Sequence, residues 1–235
     1  MIILALDSTA KAAAVALLDG RKLLAKEMHD DAGTHSCTLL PTVERLLVGS
    51  GLTVEDIDLF AASAGPGSFT GVRIGAATLK GLAFGRNKPC VPVSALHALA
   101  YNLREHHGVV CTLMDARRGQ FYTAFFRIAD GVITRLTHDA AKSGEEIAAE
   151  AKIYGHVTLV GDGAEVALQY FADGDASLAP AGSLLADGES VGLCALAQYE
   201  SGESVSDAAF APTYLRLPQA ERERLEKEKQ KGEQK

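Results

Sequence analysis

The sequence predicts an α/β fold that is built from two copies of one unit. The same order of apolar, strand-like runs and helix-like segments occurs twice along the 235 residues. In each copy the first apolar run ends on an aspartate, and an Asp-Gly turn follows between two later runs. Since side-chain identity between the copies is slight, this is a repeat of pattern. We expect two subdomains, each a mixed sheet with flanking helices.

The first copy begins with a three-stranded meander and continues with alternating helices and strands. The apolar runs at 2–7, 12–18 and 21–29 predict the meander. Residues 34–51 and 72–85 predict helices, residues 57–65 and 90–94 predict strands, and a further helix starts at Ala95.

The second copy repeats this order with other side chains. Strands are predicted at 109–115, 120–128 and 132–138, and a strand, a glycine turn and a helix at 157–171. Residues 143–151 predict a helix, because Ser143 and Glu146 have the spacing of a capping box. We therefore divide the chain into subdomains 1–107 and 108–217 and a charged tail, 218–235, and expect the segment around 190–217 to pack back on the first subdomain.

Composition and charge exclude several classes of protein. A net charge of −7 argues against tight binding of nucleic acid by this chain alone, since phosphate contacts need a basic surface. The four cysteines are scattered without metal-ligand spacing, which is typical of reduced thiols. The N-terminal apolar run is too short for a signal peptide or a membrane span. We expect a cytoplasmic chain without membrane contact.

Acidic and glycine turns mark a possible cleft between the two copies. Two units side by side would place the turn after residue 7 and the turn after residue 115 on facing walls. The candidate cleft residues are Asp7, Ser8, Thr9, Asp115, Gly161, Asp162 and Gly163. One interpretation is metal–phosphate binding by the acidic turns, with a nucleotide against the glycine turn. The other is that Asp and Gly are simply good turn residues.

The stretch "GPGSFTGVRIG" at 65–75 fits none of the common phosphate or nucleophile motifs. It lacks the lysine of a P-loop, its glycine spacing is one residue too long for a dinucleotide loop, and it has no G-x-S-x-G. Two explanations remain for this strand-to-helix turn. Its free N–H groups attract an anion, or it is a tight turn that brings the helix close to the sheet.

Two helices carry more apolar or small residues than one core-facing seam requires. Glycine costs about 1 kcal/mol relative to alanine inside a helix, so glycines at spacings of three and four need a packing reason. Contact with a partner chain is one reason and packing on the chain's own sheet is the other. The candidate partner-binding residues are Leu39, Leu40, Val43, Leu46 and Leu47 on the first helix, and Gly71, Gly75, Thr78, Leu79 and Leu82 on the second.

Together these residues resemble the TsaB (YeaZ) family of bacterial tRNA threonylcarbamoyladenosine biosynthesis proteins. The resemblance is carried by "ALDSTAKAAAVALL", "HSCTLLPTVERLL", "GPGSFTGVRIG", "PVSALHALA", "MDARRGQFY" and "PTYLRLP", in this order over residues 1 to about 218. It implies the duplicated fold of actin, sugar kinases and Hsp70 (ASKHA). It also implies pairing with the paralogue TsaD, which transfers the threonylcarbamoyl group to tRNA, through helices that match 34–48 and 71–85 here.

The same resemblance implies a subunit without catalytic activity. TsaD carries a metal-binding His-x-x-x-His, and Ala95 and Leu99 stand at the matching positions of this chain. His97 lies between them and cannot replace the pair. The family implies that a small ATPase, TsaE, joins the pair, that tRNA is contacted through the complex, and that the chain alone can form a homodimer. No resident metal or cofactor is expected.

Two other functions remain as alternatives. A small-molecule kinase of the same fold would use Asp7 and Asp115 around a magnesium–nucleotide complex, but no residue is evident as the base for a substrate hydroxyl. A peptidase would need a nucleophile–base pair or a metal site, and no spacing in the sequence suggests either.

Overall fold

The first half of the chain forms a five-stranded mixed sheet. A computed structural model describes residues 1–30 and 35–216. The strands of this sheet are β1 (Ile2–Asp7), β2 (Ala13–Asp19), β3 (Lys22–His29), β4 (Leu59–Gly65) and β5 (Cys90–Ser94), in the order β3-β2-β1-β4-β5. The first three strands form an antiparallel meander, and β4 and β5 continue the sheet in parallel with β1.

The second half repeats this topology. Its strands are β6 (Gly108–Asp115), β7 (Gln120–Ala129), β8 (Val132–Arg135), β9 (Ala140–Ser143), β10 (Val157–Val160) and β11 (Ala176–Leu178). Their order is β11-β10-β6-β7-β8, with β9 also paired to β7. The antiparallel meander is again followed by two parallel strands beside its first member. The predicted fold class, a duplicated α/β unit of the ASKHA type, is confirmed.

The helices cover both faces of the first sheet. The helices are α1 (His35–Gly49), α2 (Phe69–Ala83), α3 (Ala95–Tyr101), α4 (Gly144–Ala151), α5 (Ala164–Ala167) and α6 (Gly188–Glu200). Alternate residues of β1 point to opposite faces, as the strand period requires. Leu4 and Leu6 pack with α1 and α2, whereas Ile3 and Ala5 pack with α3 and α6. Helix α6, which follows the strands of the second sheet in the chain, thus completes the core of the first sheet. The subdomain boundary between residues 107 and 108 stays a prediction.

Several element boundaries differ from the predicted ones. Helix α2 begins at Phe69, three residues before the predicted start, because the Ser68 side chain caps it by accepting a hydrogen bond from the Gly71 N–H. The capping box of Ser143 and Glu146 is confirmed at the start of α4. Strands β9 and β11 were not predicted. The charged tail predicted for 218–235 lies outside the described residues.

None of the helices in the described residues is long and apolar enough to cross a membrane.

Candidate functional site

A cleft of about 580 Å³ lies between the two halves. The turn after β1 and the glycine loop before α2 line it from the first half. The end of β6, the turn that follows and Asp162 line it from the second half. Residues 213–216 complete the wall. This volume lies within the usual range for a small-molecule site.

Asp7 and Asp115 end equivalent strands, yet they lie in different environments. The Asp7 carboxylate is buried, with the residue 2% exposed, and it accepts hydrogen bonds from the Thr9 N–H (2.9 Å) and hydroxyl (3.0 Å). Asp115 is exposed and lines the cleft. Its carboxylate accepts a bond from the Arg117 N–H at 2.7 Å. Of the two predicted acidic groups, only Asp115 reaches the cleft.

The magnesium–nucleotide site of the kinase alternative fits this arrangement poorly. Burial raises the pKa of Asp7, and the hydrogen bonds from Thr9 oppose that rise. Burial also raises the pKa of Asp162, whose Oδ1 accepts a bond from the Asp115 N–H at 3.1 Å. The Asp7 carboxylate, which was expected to face Asp115 across the cleft, thus stabilises the turn after β1 by accepting hydrogen bonds from Thr9. We derive no phosphoryl-transfer step for this chain.

The pH dependence of stability should report the burial of Asp7. Because its pKa in the folded chain lies above the ordinary value of 3.8, the neutral carboxyl favours folding at low pH. This contribution is lost as the pH rises through the folded-state pKa. Asp7→Asn, which cannot ionise, should therefore gain stability relative to wild type as the pH rises from below 3.8 towards neutral.

Urea unfolding over a series of pH values on both sides of 3.8 measures this difference. Asp173→Asn, at an exposed loop position, is the matched control and should show no such gain. A stability difference between Asp7→Asn and wild type that is the same at every pH of the series would contradict the assignment.

The glycine loop and the start of α2 pack directly on the turn after β1. The Ser68 N–H donates to the Thr9 carbonyl at 2.7 Å, and the Ser8 hydroxyl donates to the Gly71 carbonyl at 2.8 Å. A Cβ at Gly71 would lie 1.9 Å from the Ser8 carbonyl oxygen. These contacts account for the loop as a tight turn, and anion binding there stays a prediction.

The glycine turn of the second half has the same structural role. A Cβ at Gly161, where φ is +123°, would lie 1.9 Å from the Leu113 carbonyl oxygen. The Gly163 N–H donates to that same oxygen at 3.1 Å. The two glycines let the chain pass close to β6 and place Asp162, between them, at the cleft.

Six of the ten predicted partner-binding residues lie inside the chain's own core. They are Leu39, Val43, Leu47, Gly71, Gly75 and Leu79, all buried. The leucines and the valine pack against the first sheet, and the two glycines face Ser8; a role of these six residues in binding a partner stays a prediction. The remaining four are Leu40, Leu46, Thr78 and Leu82, which are exposed or half-buried. For these four, contact with a partner stays a prediction.

An apolar surface nevertheless remains on the outer side of α1 and α2. Leu40 is 51% exposed, and Val48 and Phe84 are 74% and 77% exposed. Helix α2 also carries the small exposed residues Ala77 and Gly81, and no atom lies within 4 Å of a Cβ built at Gly81. We call these five residues the outer helix face. The predicted contact residues include Leu40 but not Ala77, Val48 or Phe84, although the predicted pairing helices 34–48 and 71–85 contain all three.

Helix α3 carries no set of metal ligands. Ala95 and Leu99 are buried apolar side chains. His97 stacks on Phe126, with ring centroids 5.1 Å apart, and its burial lowers its pKa to about 4. Across the described ranges, 1–30 and 35–216, no group of three His, Cys, Asp or Glu residues could hold a metal ion. The two positions at which the resemblance implies metal-binding histidines in TsaD are therefore part of the apolar core of this chain.

Comparison with known proteins identifies the family of this chain. The family model described as "TsaD: tRNA N6-adenosine threonylcarbamoyltransferase" matches residues 29–223. A protein of Escherichia coli (strain K12), named tRNA threonylcarbamoyladenosine biosynthesis protein TsaB, is 31% identical over 220 residues, which are 92% of this chain and 95% of that protein. The chain belongs to the TsaB family.

Other family members align over shorter segments or through solved structures. TsaB of Bacillus subtilis (strain 168) is 34% identical over 59% of this chain and 61% of its own length. TsaB of Haemophilus influenzae is 40% identical over 52% of each chain, so the matched segments span about half to three fifths of these two relatives. The solved structure of YeaZ from Pseudomonas aeruginosa matches with a TM-score of 0.79 at 28% identity, and the match covers 91% of this chain and 99% of that one.

Proposed function

We propose that this chain is a non-catalytic subunit in the synthesis of threonylcarbamoyladenosine in tRNA, and that it acts by binding TsaD. The observation that carries the proposal is the outer helix face of α1 and α2. Three large apolar side chains are exposed on these helices, and Ala77 and Gly81 form a strip of small exposed residues on α2. Exposed apolar surface of this kind is typical of a protein-binding site. The strip gives a helix of the partner room for close approach.

Charge and chemistry support a role without catalysis. At a net charge of −7 the chain is a poor ligand for tRNA by itself, so contact with tRNA is proposed to occur through the complex. The buried Asp7 and the apolar residues at Ala95 and Leu99 argue against a kinase and against a metal-dependent transferase. TsaE is proposed to join the pair. In the absence of TsaD, the same outer helix face is free to bind a second copy of this chain.

An omission assay tests this proposal. The adenylate-forming enzyme, TsaD, TsaE, tRNA, threonine, bicarbonate and ATP are combined with and without this chain, and modified adenosine is quantified by mass spectrometry. Product should form only when both TsaD and this chain are present, and this chain should form none without TsaD. Product at full yield without this chain would sink the proposal. ATP binding by the isolated chain that is lost in Asp115→Asn would instead support the kinase.

A further inference from the structure

A segment of four residues, 213–216, crosses the cleft from the first half to the second. On the first half, the Thr213 N–H donates to the Ala64 carbonyl at the end of β4, at 2.7 Å. On the second half, Arg216 donates from Nη1 to the Ala116 carbonyl, at 3.0 Å, in the turn after β6. All four residues 213–216 line the cleft. We call residues 213–216 the strap.

Tyr214 attaches the strap to the start of α2. Its ring lies 4.9 Å from that of Phe69, and its hydroxyl accepts a hydrogen bond from Arg73 Nε at 2.9 Å. The Arg73 guanidinium carbon lies 3.8 Å above the Phe69 ring centroid. A guanidinium group can stack on an aromatic ring and at the same time donate a hydrogen bond in its own plane. A lysine ammonium group cannot do both, so arginine is suited to this position. Arg73 thus holds Tyr214 from the exposed side of α2.

The residues before the strap, Ala208 to Phe210, are held in place by burial and by hydrogen bonds. Phe210 is buried in the core between the first sheet, α1 and α2. Lys80 on α2 donates to the carbonyls of Ala208 and Phe210, each at 3.0 Å. If Tyr214 and Arg216 lost their contacts, the strap would therefore move away from the cleft, whereas Phe210 and the residues before it would stay in place.

We propose that the strap holds the two halves closed over the cleft, and that Arg73 is its point of release. Arg73 lies on the same helix as Ala77 and Gly81, and it is exposed like them. A partner with a carboxylate opposite Arg73 would draw the guanidinium from Tyr214 and free the strap. Release of the strap by a partner rests on the proposed function, because that function requires TsaD to bind α2. The closure of the cleft by the strap does not.

Hydrogen exchange of the isolated chain tests the closure. In Arg73→Ala the Thr213 amide should exchange about tenfold faster than in wild type, because the hydrogen bond to Tyr214 and the stacking on Phe69 are both lost. Tyr214→Phe keeps the ring and should show a smaller increase. Arg21→Ala, which removes an exposed ion pair with Glu200, is the control and should leave the Thr213 amide unchanged. Exchange in Arg73→Ala at the wild-type rate would overturn the proposal.

A fluorescent reporter gives a second measurement of the same closure. The chain contains no tryptophan, so Tyr122→Trp places a single indole at the cleft wall. Arg73→Ala and Arg216→Ala in this background should each raise acrylamide quenching at least about twofold, with Arg21→Ala again unchanged. Equal quenching in all four proteins would overturn the closure.

Addition of TsaD separates the two proposals. If TsaD binds and the Thr213 amide of the full-length chain exchanges faster, the release step is supported. If TsaD binds without changing that exchange, the release step fails and the proposed function stands. If Arg73→Ala speeds exchange but TsaD does not bind, the strap stands and the proposed partner is wrong.

Discussion

Replacing Ala77 with arginine is expected to weaken the binding of TsaD at least about a hundredfold while the chain stays folded. Ala77 is exposed on α2, one turn before Gly81. Small residues at this spacing let another helix approach to within about 8–10 Å between the axes. An arginine there would hold the helices apart, or would be buried without a partner for its charge. Either outcome costs several kcal/mol at an interface.

The fold itself should tolerate this change. The side chain would extend into solvent in the isolated chain, and arginine is a better helix former than most residues. Ala149→Arg provides a matched control, because Ala149 is also an exposed alanine on a helix, α4 of the second half. Calorimetric titration of each variant with TsaD measures the affinity, and circular dichroism checks the fold. Wild-type affinity in Ala77→Arg would show that α2 does not form the interface.

The fold could be predicted from the sequence because the strands follow simple local patterns. The run "CVPVS" was placed at 90–94, and β5 spans Cys90–Ser94. Strands β9 and β11 were missed since they have four and three residues, half-buried or exposed, with no alternation of apolar and polar side chains. These strands form because they hydrogen-bond to a neighbouring strand. That interaction depends on tertiary structure, so the local sequence pattern does not indicate it.

The site was harder to predict because its residues look alike in the sequence. Asp7 and Asp115 both end an apolar run, but only tertiary packing decides which is buried. The turn after Asp7 is covered by the start of α2, where Gly71 faces Ser8. The glycines of α2 were equally ambiguous: the sequence gives their spacing on the helix, and not the side that faces the sheet. Gly71 and Gly75 face inward, whereas Gly81 faces outward.

Replacing Gly71 with alanine is expected to destabilise the chain by about 3 kcal/mol or more. The added Cβ would lie 1.9 Å from the Ser8 carbonyl oxygen, a backbone atom that cannot move without the end of β1. Separating the two segments would also break the hydrogen bond from the Ser8 hydroxyl to the Gly71 carbonyl. Overpacking of this kind costs about 1–3 kcal/mol, and loss of a buried hydrogen bond adds about 1 kcal/mol.

Gly81→Ala is the control for Gly71→Ala, because it makes the same change on the same helix at a position where the added Cβ meets no other atom. No atom lies within 4 Å of a Cβ built at Gly81, so this variant should gain stability, by up to about 1 kcal/mol, from the higher helix propensity of alanine. Urea unfolding of the isolated chain, followed by circular dichroism, measures both variants under one condition. A Gly71→Ala protein as stable as wild type would mean that α2 does not cross the turn after β1 this closely. The cleft wall would then need another source of support than the contact between Ser8 and α2.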